Sequence, residues 1–309
     1  MLINTELTNC PVCSNVEYAS IGSAIDFEYS TCSNVFDYVR CSSCEAIYIR
    51  NRPSIASLNL LYPNSYHNYS KNKSINIVYK FKNFIDRFYL RKYITSNASS
   101  FLDIGCCNGR LLSLAKSELP NNALIEGVEI SESAASFALD QGFNIYFGSI
   151  ESIKLKNDTY DLVYMQQVIE HLFNPKAALL NIRDSMKVGG RLIIETPTSE
   201  CLDFKIFHSR YWGGFHCPRH LLIFSSTSIK KLASDCGFIV ESISFKPQPV
   251  HWIWSIHHYL LDKMYPKKFA NIFHMTNFFL VSIFTSIELV LNFLGFKTSN
   301  MCVVLKKPY

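Results

Sequence analysis

Residues 101–110 read FLDIGCCNGR. An apolar run ends in Asp103, a turn of small residues follows, and residues 111–116 then repeat leucine at helical spacing. This order predicts a strand, a tight turn and a helix. Gly105 and Gly109 allow the backbone to approach a ligand closely, and the start of the helix offers N–H groups to an anionic group. The stretch is typical of the nucleotide-binding opening of a doubly wound α/β fold.

The spacing of this turn differs from that of a dinucleotide site. It is D-x-G-x-C-x-G rather than G-x-G-x-x-G, and Asp103 at the strand end would repel a pyrophosphate but suit a cation. The turn resembles the first motif of the class I S-adenosylmethionine-dependent methyltransferases, D-x-G-x-G-x-G, with Cys107 in place of the middle glycine. The resemblance implies that Asp103, Gly105, Cys107 and Gly109 bind S-adenosylmethionine.

The following residues repeat the alternation of strand and helix. The strand at 123–130 contains Glu129, which follows Asp103 by 26 residues and can accept the ribose hydroxyls of the cofactor. Further strands are predicted at 143–147, 160–166, 191–195, 238–245 and 300–306. Three helices between strands are predicted to end at glycines: one at Gly142, one at Gly237, and one that runs through Met186-Lys187 and ends at Gly189-Gly190. The resemblance over residues 96–245 implies a Rossmann-like, seven-stranded doubly wound sheet whose last strand, 300–306, is antiparallel.

Adenine recognition is expected after the third strand. Members of the family often carry an acid after the glycine that here is Gly148, and this chain has Ser149 there. We therefore expect the backbone of Ser149 and Ile150 to hold the adenine. Gln166, at the end of the fourth strand, completes the expected cofactor site.

The first candidate for a catalytic base is the pair Glu170 and His171. Methyl transfer needs an aligned nucleophile and often the removal of a proton. The segment resembles the "EHl.dP" stretch of the family, and ubiquinone-pathway methyltransferases carry E-x-x-E-H here, sometimes linked to a divalent metal. Gln167 replaces the first acid in this chain. The alternative role of the pair is to brace the helix after strand four.

The second candidate is the loop at 208–221, which reads HSRYWGGFHCPRHL and resembles a segment of one methyltransferase subgroup. Loops on the carboxyl side of an α/β sheet often carry function. His220 is the preferred general base, and His216 could share that role. The substrate-binding candidates are Arg219 for an anionic group, Trp212 for a pocket wall, and Tyr211. The alternative is a structural loop folded over the pocket.

Residues 1–50 contain two C-x-x-C pairs separated by 27 residues, Cys10 with Cys13 and Cys41 with Cys44. Such pairs can place four thiolates around a structural Zn²⁺, and the residues between them are expected to form a hairpin. The glycine that often follows each knuckle is replaced by Ser14 and Glu45. The alternative is a group of buried thiols. We interpret residues 1–50 as a zinc-ribbon-like module.

Residues 51–95 are interpreted as a turn-rich linker and a basic amphipathic cap helix over Ser70–Ile94. The stretch 51–100 has eight Lys or Arg and one Asp, whereas residues 1–50 have six acids and two Arg. The basic face, which includes Lys73, Lys80 and Lys82, is either solvated or meets phosphates. The acidic cysteine module and the lack of a D/N-P-P-Y/F motif after strand four argue against a nucleic-acid partner.

An apolar insertion occupies residues 246–298, and residues 269–287 contain no charge when His274 is neutral. Polar residues recur there at helical steps, which favours an amphipathic helix over a membrane span. The helix would pack on the domain, on a second copy in a homodimer, or in a membrane interface. Trp252, Trp254 and Tyr259 are side chains of the kind enriched at such interfaces.

These observations predict a cytoplasmic methyltransferase domain at 96–309, or one peripheral at the inner face of the membrane. The start of the chain has no signal-peptide pattern, and 11 cysteines suit a reducing compartment. The chain is similar to sugar-modifying methyltransferases with two C-x-x-C pairs at the front, which implies O-methylation of a small molecule or of a nucleotide- or lipid-linked sugar. The alternatives are sugar C-methylation and a catalytically degenerate scaffold, to which Cys107, Ser149 and Gln167 would point.

Overall fold

The computed structural model describes residues 1–62 and 76–309 of the chain. The strands are β1 Thr5–Leu7, β2 Tyr18–Ala24, β3 Phe36–Cys41, β4 Ile47–Ile49, β5 Asn51–Pro53, β6 Ser100–Ile104, β7 Leu124–Glu129, β8 Asn144–Phe147, β9 Tyr160–Gln166, β10 Met186–Pro197, β11 Leu222–Ile223, β12 Ile239–Lys246 and β13 Asn300–Lys306. The α-helices are α1 Leu58–Leu61, α2 Asn76–Tyr93, α3 Arg110–Glu118, α4 Glu132–Asp140, α5 Pro175–Ser185, α6 Leu202–Phe207, α7 Ser226–Asp235, α8 Val250–Asp262, α9 Lys267–Ala270 and α10 Phe278–Phe293.

The main sheet has seven strands in the order β12-β13-β10-β9-β6-β7-β8. The five strands from β10 to β8 pair in parallel, and β13 is antiparallel to both of its neighbours. Helices connect the strands, which leaves both faces of the central strands covered and explains their continuous apolar runs. The predicted seven-stranded doubly wound sheet, with its antiparallel last strand, is confirmed.

One predicted boundary is wrong. Helix α5 ends at Ser185, and β10 begins at Met186 rather than at Arg191. Met186 is fully buried and pairs with Tyr160 of β9, and the register then shifts before Arg191. The helix ends early because the strand can pair and bury Met186, and Gly189, at φ +79°, accommodates the irregular turn that follows.

The cysteine module has a four-stranded sheet in the order β11-β4-β3-β2. β2 and β3 form the expected antiparallel hairpin between the cysteine pairs. The fourth strand, β11, comes from the loop region after β10, where Leu222 pairs with Tyr48 and Ile223 with Ile47. The module is thus joined to the segment after β10 by a shared sheet.

Helix α2 lies within the predicted cap helix. Its Arg87 and Arg91 both pair with Glu118 of α3, at 3.2 Å and 2.5 Å. These two contacts fit a solvated, ion-paired face better than a phosphate site. The turn-rich linker at 63–69, Lys73 and the side chains of Lys80 and Lys82 lie outside the described residues.

The apolar insertion folds into α8, α9 and α10. Helix α10 packs on α8, where Trp252 stacks on Phe284 at a ring distance of 5.9 Å. Among the residues that the structure describes, none of the helices has the length and apolar character needed to cross a membrane.

Candidate active site

The small-residue turn after β6 has the backbone that the sequence predicted. Gly105 and Gly109 both have φ of +75°, and the non-glycine residue Cys107 has φ of +49°. A Cβ added at Gly105 would lie 2.5 Å from Val168, and one at Gly109 would lie 2.7 Å from Ala138. Both glycines are therefore required, whereas the cysteine adopts a left-handed conformation that favours glycine.

Two carboxylates frame this turn. Asp103 is buried at the end of β6, and burial together with nearby Glu129 raises its pKa to about 8 despite the opposing charge of Arg110. Glu129, at the end of β7, accepts N–H groups of Cys107, Ile130 and Ser131 at 2.8 to 3.0 Å. Two acids lie side by side here, and a cation close to them favours their charged forms, so the site fits the ammonium group of S-adenosylmethionine.

The remaining cofactor candidates lie at the same edge of the sheet. Ser149 donates its hydroxyl to Glu151 at 2.9 Å, and the carbonyl of the buried Ile150 accepts from Asn181 at 2.8 Å. The amide of Gln166 donates to Glu195 at 2.9 Å. The assignment of Ser149, Ile150 and Gln166 to the cofactor remains a prediction.

The two catalytic candidates of the sequence are brought together in one place. The ring of His220 lies 4.6 Å from that of His171 and 5.1 Å from that of His216, and its Nε2 lies 3.9 Å from Glu170 Oε1. We name Glu170, His171, His216 and His220 the histidine cluster. One polar atom each of Glu170, His171 and His220 lies within 4.8 Å of the others, which is also a spacing that a divalent cation could use. The side chain of Gln167, which replaces the first acid of the E-x-x-E-H pattern, donates a hydrogen bond to Asn300.

Hydrogen bonds define the protonation of this cluster. His220 Nδ1 lies 2.8 Å from the carbonyl oxygen of Gly214, so Nδ1 carries the hydrogen and Nε2 the lone pair. Burial and the nearby histidines hold the pKa of His220 well below its usual value. Burial raises the pKa of Glu170 to about 8, and its Oε2 accepts from Thr196. Its buried Oε1 has no hydrogen-bond partner among the residues that the structure describes. The cluster thus presents a neutral imidazole nitrogen beside the buried Oε1 of Glu170.

The cysteine module adds a carboxylate that sequence reasoning missed. Glu28 Oε2 lies 2.7 Å from His216 Nδ1, and its Oε1 lies 3.8 Å from His258 Nε2. Burial alone would raise the pKa of Glu28, but His216, His258 and Arg219 together hold it below its ordinary value. No sequence motif indicates this contact, because 188 residues separate Glu28 from His216.

Arg219 and Trp212 have structural partners. Arg219 donates to both oxygens of Asp26 at 3.2 and 3.1 Å and to the carbonyl of Leu61, and both charged side chains are fully buried. Trp212 is fully buried and donates to Asp203 at 2.7 Å. These contacts favour structural roles over the predicted anion site and pocket wall. Tyr211 donates its hydroxyl to Asp262 at 2.8 Å.

The four cysteines of the module converge. Their Sγ atoms all lie within 4.8 Å of one another, and the pairs Cys10–Cys44 and Cys13–Cys41 lie at 3.5 Å. Tetrahedral Zn–S bonds of about 2.3 Å imply S···S distances of roughly 3.8 Å, so the thiols fit a zinc ion. Ser14 and Glu45, where glycine is usual, have φ of +61° and +65°. Both knuckles therefore keep their turn geometry at a cost in backbone strain.

Comparison with known proteins agrees with this geometry. Residues 76–243 match the family described as "Methyltransferase domain". A Ubiquinone biosynthesis O-methyltransferase from Coxiella burnetii is 31% identical over 114 residues, which cover 35% of this chain and 47% of that protein. A Malonyl-[acyl-carrier protein] O-methyltransferase from Hahella chejuensis is 27% identical over 141 residues, which cover 44% of this chain and 49% of that protein. The chain thus spans about half the length of the curated relatives it matches.

The fold is also found in a solved structure. Phosphoethanolamine N-methyltransferase 2 of Haemonchus contortus, in complex with S-adenosyl-L-methionine, aligns with a TM-score of 0.51 and 15% identity, over 91% of this chain and 66% of that one. Such a likeness concerns the fold. The family match covers more than half of the 309 residues. This chain belongs to the methyltransferase domain family and has the fold of the class I S-adenosylmethionine-dependent methyltransferases.

Proposed function

We propose that this protein transfers the methyl group of S-adenosylmethionine to a hydroxyl oxygen of a small-molecule acceptor. The main support is the contact between the two parts of the site: Val168, two residues before Glu170, is the residue that a Cβ at Gly105 would strike. The residues just before Glu170 in the chain therefore lie against the cofactor turn. The names of two curated relatives, both O-methyltransferases, agree with an oxygen acceptor.

The roles follow from the charges and hydrogen bonds. S-adenosylmethionine supplies an activated methyl group when bound. Asp103 would pair with its ammonium and Glu129 would accept its ribose hydroxyls, while the glycine turn lets the backbone approach. His220 Nε2 would take the proton of the acceptor hydroxyl as the oxygen attacks, since it is the ring nitrogen that carries a lone pair. Glu170, once ionised, would then stabilise the protonated imidazole through Oε1, which lies 3.9 Å from Nε2.

We propose a nucleotide- or lipid-linked sugar, or a related metabolite, as the acceptor. The support is the resemblance to sugar-modifying methyltransferases with two cysteine pairs at the front. The relatives are named for ubiquinone biosynthesis and for malonyl-acyl-carrier protein, so related metabolites belong in any acceptor panel. Methylation at a sugar carbon is the close alternative, because it also needs a base.

A catalytically degenerate scaffold is the alternative from another class. Its sequence support was the replacement of three usual residues. One of these, Cys107, adopts the left-handed conformation that the turn requires, and this speaks for a working cofactor site. The lone pair on Nε2 of His220 favours a role of this residue as a base.

The test is transfer of labelled methyl from S-adenosylmethionine to a panel of nucleotide sugars, lipid-linked sugars, phenols and acyl thioesters. The wild-type protein should label at least one hydroxyl acceptor. His220→Ala should lower turnover by about 10²- to 10⁴-fold with its affinity for S-adenosylhomocysteine unchanged. His208→Ala, on the same loop but with its Nδ1 3.1 Å from the carbonyl of Lys205, is the matched control and should keep wild-type turnover.

The outcomes separate the alternatives. Unchanged turnover in His220→Ala would overturn the assignment of the base. Product labelled at carbon would favour the C-methyltransferase. Binding of S-adenosylhomocysteine without transfer to any acceptor would favour the scaffold.

A further inference from the structure

Helix α10 presents an apolar face to the outside. Phe279 is 73% exposed and Phe293 is 90% exposed, and Val290 and Leu294 between and after them are also more than half exposed. An ordinary surface helix buries such residues and exposes its polar ones. Isolated exposed apolar side chains are common in proteins, but a continuous apolar helix face marks an interaction surface.

One polar residue of the same helix points inward, whereas Ser282, Ser286 and Asn292 are exposed and donate their side-chain hydrogens to backbone carbonyls. Glu288 is 1% exposed and accepts hydrogen bonds from Gln248 and Ser299 in the strand regions beside it. Asn292 donates to the carbonyl of Phe245 at 2.9 Å. These bonds fix the rotation of the helix on the domain, so the apolar face is directed outward by the fold itself.

Exposed apolar side chains also occur in the chain before the helix. Met264 before α9, Phe269 in it and Ile272 after it are also exposed. We name this surface, from Met264 to Phe296, the apolar platform. Its members are Met264, Tyr265, Phe269, Ile272, Phe278, Phe279, Ile283, Ile287, Leu289, Val290, Phe293, Leu294 and Phe296.

The exposed charges within the platform segment are all positive, while Asp262 just before it pairs with Arg210. Residues 263–297 contain four lysines and one acid, and the acid is the buried Glu288. Lys297 pairs with Glu200 at 2.5 Å, whereas Lys263, Lys267 and Lys268 are exposed at the end of the platform near α9. An apolar face with exposed lysines beside it is complementary to an anionic lipid surface.

We propose that the apolar platform docks the protein on the surface of a membrane that contains anionic lipid. Helix α10 has 16 residues and is therefore about 24 Å long, shorter than the hydrocarbon core of a bilayer, so it would lie in the interface. A two-fold contact with a second copy fits less well, because it would face the same lysines on both sides without exposed acids in the segment to pair with them.

Docking would also orient the candidate active site. Helix α8, on which α10 packs, accepts the backbone N–H of Gly213 through Ser255 at 2.8 Å and places His258 beside Glu28. The docked surface and the histidine cluster are thus connected through one helix. Docking itself does not depend on turnover, so the membrane proposal and the proposed methyl transfer can fail separately.

The test is co-sedimentation of the full-length, zinc-replete protein with vesicles of phosphatidylcholine, with and without phosphatidylglycerol. The wild-type protein should bind the vesicles that contain phosphatidylglycerol, and salt should weaken the binding. Phe279→Ser with Phe293→Ser should lower the partition coefficient about tenfold or more, and so should Lys267→Glu with Lys268→Glu.

Leu7→Ser and Lys230→Glu are the matched controls, since both side chains are exposed and far from the platform in the chain. Both should bind as the wild type does. The unfolding temperature of each variant shows whether it is folded. Failure of the wild-type protein to bind either vesicle, or an equal loss in the controls, would overturn the proposal. A dimer in light scattering that the Phe279→Ser, Phe293→Ser variant dissociates, without vesicle binding, would assign the platform to a second copy.

Discussion

The two parts of the candidate active site are built in different ways. The cofactor part is local: Asp103, the glycine turn and Glu129 lie within 27 residues, and the ends of adjacent parallel strands bring them together. The acceptor part is assembled over a long distance, from Glu28 of the cysteine module to His220 after β10. A local site can be recognised from spacing, whereas a site assembled from remote segments needs the fold.

The difference extends to what holds each part in place. Backbone conformation fixes the cofactor turn, as the φ values of Gly105 and Gly109 show. The acceptor part depends on buried polar contacts between the module and the loop, namely Asp26 with Arg219 and Glu28 with His216. Damage to the cysteine module should therefore affect the acceptor part more than the cofactor part.

The largest effect is expected from removal of two thiols. Cys41→Ser with Cys44→Ser should abolish zinc binding, which in small zinc modules supplies roughly 10 kcal/mol of folding free energy. The variant should lose methyl transfer while retaining a folded main sheet. Elemental analysis should find one zinc per wild-type chain and none in the variant, and Cys236→Ala, outside the module, should keep the metal. Equal methyl transfer by the wild type and by the double cysteine variant would contradict the dependence of the acceptor part on the cysteine module.

The next largest effect concerns the buried ion pair between the two regions. Arg219→Met leaves the carboxylate of Asp26 buried without its cationic partner and should lower the free energy of unfolding by about 3–5 kcal/mol. Asp26→Leu combined with Arg219→Met should recover part of this loss, because it removes the buried charge but also the acceptor of the Tyr29 and Thr31 hydrogen bonds. Chemical denaturation of the single and double variants measures the coupling, with the exposed Arg91→Met as a control that should change stability little. Additive losses would show that the two residues act separately.

A smaller effect is expected from pH, because Asp103 and Glu170 have pKa values raised to about 8. Both carboxyls bind their proton more tightly in the folded protein than in the unfolded chain, where they titrate near pH 4. Their stabilising contribution is complete below about pH 4 and is lost as pH rises towards 8, by on the order of a few kcal/mol. Asp103→Asn with Glu170→Gln should flatten this part of the stability profile of the cofactor-free protein. An unchanged slope in thermal unfolding between pH 5 and 8 would contradict the raised pKa values.

The smallest effect lies in the cysteine knuckles. Ser14→Gly and Glu45→Gly should each raise the free energy of unfolding by about 0.5 kcal/mol, since glycine relieves the left-handed strain but gains entropy in the unfolded chain. Ser42→Gly, beside the second knuckle, is the control and should lower stability. Equal changes in the free energy of unfolding for all three variants would contradict the presence of backbone strain at Ser14 and Glu45.

Sequence patterns predicted the parts that depend on local order. The acids at the ends of β6 and β7 and the alternation of strands and helices follow from spacing, and so do the paired cysteines. The Asn174 side chain accepts from the N–H of Ala177 at the start of α5, and this is the usual hydrogen bond of an N-cap residue. Each of these features is decided by residues close together in the chain.

Three features could not be read from the sequence. Strand β11 is only two residues long, and it forms because β4 offers an unpaired edge. Glu28 and Arg219 meet partners almost two hundred residues away. The period of α10 revealed two faces but not which one is buried, because that choice depends on Ser299 and Gln248 as partners for Glu288.

The most direct test of the separation between the two parts is calorimetric titration with S-adenosylhomocysteine of three zinc-replete proteins: wild type, Asp103→Asn and Glu28→Gln. We predict micromolar binding by the wild type and by Glu28→Gln, and affinity lowered by about 10- to 100-fold in Asp103→Asn through loss of the charge that faces the ammonium. Wild-type affinity in Asp103→Asn, or the larger loss in Glu28→Gln, would contradict the account.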